Sequence, residues 1–150
     1  SPNYITKLMK YFFSIVFITL IFSGCYTKQP LKTQSVLVVL KTPDMKYSDM
    51  GFIKTFKDRC ELEIYNFGQA ILFLKVYENK ICTSDLACTS AESFNNEHFS
   101  KAYPSSFFYE VLQGKELSNM NNIEYTYNTD NGIYFKDSKN NILIKIKEQL

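Results

Sequence analysis

The stretch CELEIYNFGQAILFLKVYENKI, Cys60–Ile81, decides how this chain folds. In its first half Cys60, Leu62 and Ile64 alternate with Glu61, Glu63 and Tyr65, the period of a strand with one apolar and one solvated face. After Asn66-Phe67-Gly68-Gln69 the alternation resumes, with Leu72, Leu74 and Val76 set against Ile71, Phe73, Lys75 and Tyr77. Two such runs broken by Asn and Gly predict an antiparallel hairpin. Phe67 then occupies the tip of the turn, where a large apolar side chain has no local purpose.

Working upstream, GFIKTF (residues 51–56) is a second strand joined to the first run through a turn at Lys57-Asp58. VLVVLKT (36–42) is continuously apolar and β-branched, which predicts a strand entering the core. TPDMKYSDMG between them supplies turn chemistry. YTKQPLKTQS (26–35) is polar with one Pro and reads as a flexible tether.

Downstream of the hairpin, Thr89-x-x-Glu92 has capping-box spacing, and Phe94 and Phe99 supply apolar positions on a short helix. Tyr103-Pro104 interrupts it. SSFFYEVLQ (105–113) predicts a second helix, with Pro104 in its first turn and Gly114 as its stop. NIEYTYN, GIYFKD and NILIKIK then give three more strands, separated by Thr129-Asp130-Asn131-Gly132 and by Asp137-Ser138-Lys139-Asn140-Asn141. Strands, two helices, then strands predict an α+β fold. The expected form is a curved antiparallel sheet, or incomplete β-barrel, of seven or eight strands with two short helices packed on its concave side.

Before all of this stands Met9–Cys25, MKYFFSIVFITLIFSGC. Lys7 and Lys10 precede an apolar run of roughly a dozen residues, the length of a secretory h-region and short of the ~20 needed to span a bilayer. Residues 1–24 are therefore read as a signal peptide, with residues 1–8 as an upstream translation artefact or a fragment edge, and residues 36–150 as the folded domain. Phe22-Ser23-Gly24-Cys25 resembles the lipobox of bacterial lipoproteins, although Phe22 stands where Leu, Val or Ile is usual. That resemblance implies that Cys25 becomes the acylated lipid anchor, with residues 25–35 tethering the domain. Tyr26 differs from the Asp that resembles an inner-membrane retention signal.

Composition narrows the function. Without residues 1–24 the basic count falls from 17 to 15 and equals the 15 acids, so nucleic acid binding has little electrostatic support. An oxidising compartment favours one disulfide among the remaining cysteines, and Cys82 with Cys88 is the pair expected, leaving Cys60 as a buried small hydrophobe. A metal site has one His to draw on, His98, and none is expected. His98 lacks a placeable Ser or Cys partner and is read as a solvated or capping residue; Glu61 and Glu63 are read as a solvated charge surface. With no Gly-rich phosphate loop, HExxH or nucleophile elbow, the chain is not expected to be an enzyme, and no cofactor is expected.

The same segments carry a resemblance. ELEIYNFGQAILFLKVYENKI is similar to the paired strands around an apolar-tipped loop in LolB, the outer-membrane lipoprotein receptor; FFYEVLQGKEL resembles that family's short helix, and IYFKDSKNNILIKIKE its closing hairpin. The resemblance spans residues 51–117 and 133–148. It implies an incomplete antiparallel barrel with an apolar cavity, and transfer of lipoproteins from a periplasmic carrier into the outer membrane. It also gives Phe67 and Gly68 the role of a membrane-insertion loop. The chain differs from that family in having no Trp and in its Cys82–Cys88 and Phe94–Tyr103 segments.

Three functions follow as expectations. In the first, a monomer anchored to the outer membrane and facing the periplasm binds acyl chains or lipoproteins, with Leu72, Leu74, Phe107, Val111 and Leu112 lining a cavity. In the second, a structural or surface-exposed lipoprotein, an adhesin or envelope assembly accessory, has the same sheet over a filled core. A binding module for a periplasmic enzyme is a third.

Overall fold

The computed structural model describes residues 2–21, 24, 28–84 and 86–149. Among the described residues nine strands form one antiparallel sheet: β1 (Lys32–Lys41), β2 (Lys46–Thr55), β3 (Cys60–Asn66), β4 (Gln69–Val76), β5 (Lys80–Ser84), β6 (Ala87–Ser90), β7 (Thr126–Asn128), β8 (Ile133–Asp137) and β9 (Ile142–Glu148). The order across the sheet is β6-β5-β4-β3-β2-β1-β9-β8-β7, and β6 and β7 remain as edges. The sheet is curved and unclosed, and the fold is α+β, as the run of strands, helices and strands predicts.

Several boundaries differ from the sequence reading. The run Ala70–Ile81 is not one strand; it breaks after Val76, where the Tyr77 amide bonds the Lys80 carbonyl, and restarts as β5. A short hairpin of β5 and β6 therefore occupies the segment left between strand and helix, which makes nine strands of an expected seven or eight. Residues 32–35 belong to β1 and not to a tether, because Lys32 to Ser35 have ladder partners in Thr55 to Phe52.

The helices are α1 (Pro2–Ile21), α2 (Ala91–His98) and α3 (Phe107–Leu112). The N-cap of α2 is Ser90, one residue after the expected Thr89, and its side chain accepts from the Ser93 amide. Pro104 lies before α3, its carbonyl accepting from the Phe107 amide. Gly114 does end α3: its amide bonds Val111 and the Lys115 amide bonds Glu110, the paired bonds of a Schellman motif.

Alternation sends Val36, Val38 and Leu40 of β1, Leu62 and Ile64 of β3, and Ile144 and Ile146 of β9 to one face of the sheet. The helices cover that face through Phe94, Phe107, Phe108, Val111 and Leu112. Phe107, Phe108 and Phe135 are fully buried, and Phe107 meets Phe99 and Phe135 edge to face.

Residues 2–21 form a 20-residue helix, longer than the expected apolar run, and by length and composition it could cross a membrane; a signal sequence has the same properties. None of α1 is buried. Every core residue falls between Val36 and Ile146, so a chain beginning at Lys28 keeps the entire core.

Candidate functional site

The β3–β4 ladder pairs Asn66 with Gln69, which leaves Phe67 and Gly68 as a two-residue turn. Both have positive φ, 50° and 76°, as a type I′ turn demands. Gly68 adopts that conformation freely, whereas a bulky residue such as Phe67 is held there at a cost of about 1–2 kcal/mol. Its side chain gains nothing from folding, being 101% exposed. The base of the turn is fixed by the Asn66 side-chain amide, which donates to Asp49 on β2 at 2.9 Å. A bulge below it, where pairing jumps from Ile64–Leu72 to Tyr65–Ala70, leaves Ile71 unpaired and strengthens the local twist.

Antiparallel pairing places the β5–β6 turn at the same end of the sheet as the β3–β4 turn. That second turn carries Leu86, 99% exposed. The sequence reading missed it; Leu86 between SD and ACTS is the available signal. Cys82 and Cys88 face each other across this hairpin at disulfide distance. Cys60 is a free, buried thiol whose pKa burial pushes up to about 11. Cys25, the expected anchor, lies outside the described residues.

The proposed cavity residues come together, but inside the core. Leu74, Phe107, Val111 and Leu112 are buried and Leu72 is half-buried against them. The open grooves sit elsewhere; one of about 480 Å³ at the other end of the sheet is lined by Val36, Ile53, Ile133 and Ile146 among others.

The charged residues singled out in the sequence, His98, Glu61 and Glu63, each have an ionic partner. His98, at the end of α2, holds Asp44 at 2.7 Å. Burial opposes ionisation of Asp44, but hydrogen bonds from Thr42 and His98 prevail and lower its pKa. Glu61 and Glu63 are not a solvated surface: Glu61 is buried against Arg59 at 3.3 Å, and Glu63 binds Lys54 at 3.2 Å and accepts from the Tyr65 hydroxyl. The Arg59 guanidinium also stacks 3.9 Å over Phe56. Among the described residues no group of His, Cys, Asp and Glu could hold a metal ion.

No family model matches the chain, and neither the curated proteins nor the solved structures give a match.

Proposed function

We propose that this chain is a lipid-anchored protein of the bacterial outer membrane, facing the periplasm, that brings the Phe67-Gly68 turn into contact with acyl chains and assists insertion of lipoproteins. The observation that carries this reading is Phe67: a fully exposed aromatic side chain in a left-handed conformation is unfavourable in water twice over, and burial in a hydrocarbon phase relieves the larger part. Contact at the turn requires no preformed hole in the core. Direction then comes from differences in affinity between a carrier, this protein and the bilayer.

The chain contains no Trp, so Phe67→Trp in a chain starting at Lys28 provides a unique fluorophore. Mixed with phospholipid vesicles, the indole should shift its emission to the blue and be quenched by brominated acyl chains. Emission that stays water-like at saturating lipid sinks the reading.

One observation favours the rival, a structural lipoprotein with no lipid transfer: Phe107, Phe108 and Phe135 fill the space between helices and sheet. On that reading a fluorescent fatty acid neither binds nor shifts, and Phe67→Glu leaves lipoprotein delivery unchanged.

A further inference from the structure

The face of the sheet turned away from the helices is basic and apolar together. Residues paired across a ladder share a face, so the register places Lys147, Leu37, Met50 and Tyr65 in one row across β9, β1, β2 and β3. Beside it lie rows containing Lys145 with Val39 and Lys41 with Lys46. Phe52 and Phe73 flank Glu63 on the other side. Leu37, Met50 and Phe52 are exposed large apolar residues.

Charge on this face is one-sided. No Asp or Glu of β1, β2, β8 or β9 alternates onto it, and Glu61 and Glu63 of β3 are taken by Arg59 and Lys54. Lys41, Lys46, Lys145 and Lys147 are exposed and make no ion pair among the described residues. Lys41 and Lys46 are direct ladder partners, a like-charge juxtaposition that costs stability unless an anion lies over it. The one acid in the turn between them, Asp44, is engaged by His98. Glu92, Glu97 and Glu110 lie on α2 and α3, which cover the opposite face.

We propose that this outer face docks on the surface of an anionic phospholipid bilayer, with the lysines at the headgroups and Leu37, Met50 and Phe52 at the acyl boundary. The proposal deepens the reading of Phe67 as a lipid-contacting residue by naming the charge of the lipid and the orientation of the domain. Chain geometry favours that orientation. The Leu31 amide bonds Thr55 and Lys28 lies by Asp58, so the chain enters at the end of the sheet opposite Phe67. Those ends are about 24 Å apart along β3, and residues 25–31 extended reach about 25 Å at most. An upright domain would need that tether stretched to its limit, so a bilayer that holds an acylated Cys25 and also receives Phe67 leaves the tether slack when it runs along the sheet, and the inner face is already covered by α2 and α3.

The test uses the chain from Lys28 onward and vesicles of phosphatidylcholine alone or with one third phosphatidylglycerol. Partitioning should be stronger onto the anionic vesicles and weaken on raising salt from 50 to 500 mM. Lys145→Glu with Lys147→Glu, or Lys41→Glu with Lys46→Glu, should each reduce binding to anionic vesicles by at least about tenfold and leave neutral vesicles unaffected. Gln at the same positions is the milder pair if a Glu pair unfolds. Equal binding to both vesicle types, unaltered binding by folded lysine variants, or preference for duplex DNA over anionic vesicles overturns the proposal. Phe67→Glu separates the two readings: it should lower binding to neutral and anionic vesicles alike, whereas the lysine variants remove only the anionic preference. A lysine effect without a blue shift from Phe67→Trp leaves the face standing and the turn reading rejected.

Discussion

The Tyr103 hydroxyl donates to the Asp137 carboxylate within the core, fastening the segment between α2 and α3 to the last residue of β8. The side chain of Asn140 donates to the same carboxylate at 2.7 Å, and its backbone amide adds a third bond. Burial works against the charge on Asp137, yet these donors outweigh it and its pKa falls below the ordinary value. Burial, reinforced by Asp137, pushes the Tyr103 pKa upward. A charged group this deep is tolerable only because its lone pairs are filled.

Tyr103→Phe keeps the ring contacts with Phe107 and Phe135 and removes only the donor. The expected loss is about 1–3 kcal/mol, set by the carboxylate left short of a partner. Urea unfolding of the chain from Lys28 measures it. An unchanged midpoint means that Asn140 and solvent suffice for Asp137.

Acid should weaken the fold through the same carboxylate. The folded pKa of Asp137 lies below its unfolded value, so the unfolded chain binds the proton first as pH falls. Its contribution is complete above about pH 4–5 and is lost as pH drops through the folded value. Asp44 acts in the same direction, with a smaller share because it is exposed to solvent. Asp137→Asn should flatten the acid limb of a stability profile between about pH 5 and 2. A limb as steep as that of the parent would place the titration elsewhere.

How far the chain can be read without coordinates differs from element to element. The β3–β4 hairpin was legible because its alternation is strict and its turn holds Gly68, and the reading of Phe67 as an exposed tip came with it. The break after Val76 was not legible, since Tyr77 continues the pattern and only Glu78-Asn79 signals a turn. Leu72, Leu74, Phe107, Val111 and Leu112 could be grouped by hydrophobicity, but whether apolar groups surround a hole or fill it depends on volumes that periodicity does not carry. The lysine face was latent in the spacing of IKIKE. Its meaning appears only when the register sets Lys147 beside Leu37 and Lys41 beside Lys46.

Reduction should act locally. The Cys82–Cys88 bridge closes a short loop in an edge hairpin, and removing it by Cys82→Ala with Cys88→Ala should cost about 2 kcal/mol, chiefly through the unfolded chain. Because β5 meets the rest of the sheet through a short ladder to β4, hydrogen exchange should accelerate first at residues 80–90 while β1, β2 and β9 stay protected. Uniform acceleration across the sheet would show that the hairpin is not a separate unit.

Stability and use are opposed at Phe67. Phe67 lies at the first central position of a type I′ turn, where Asn is preferred because its side chain tolerates the left-handed region. With the Phe67 side chain wholly in solvent, Phe67→Asn removes no packing and relieves backbone strain, so the folded state should gain roughly 1 kcal/mol. The same change removes the apolar group proposed to enter lipid, and binding to neutral vesicles should fall. A variant more stable yet weaker at the membrane would identify Phe67 as retained for contact at the expense of the turn. Thermal unfolding and vesicle partitioning on one preparation decide it: a gain in stability with no loss of binding removes Phe67 from the lipid contact, and a loss of stability means that the turn needs the aromatic ring.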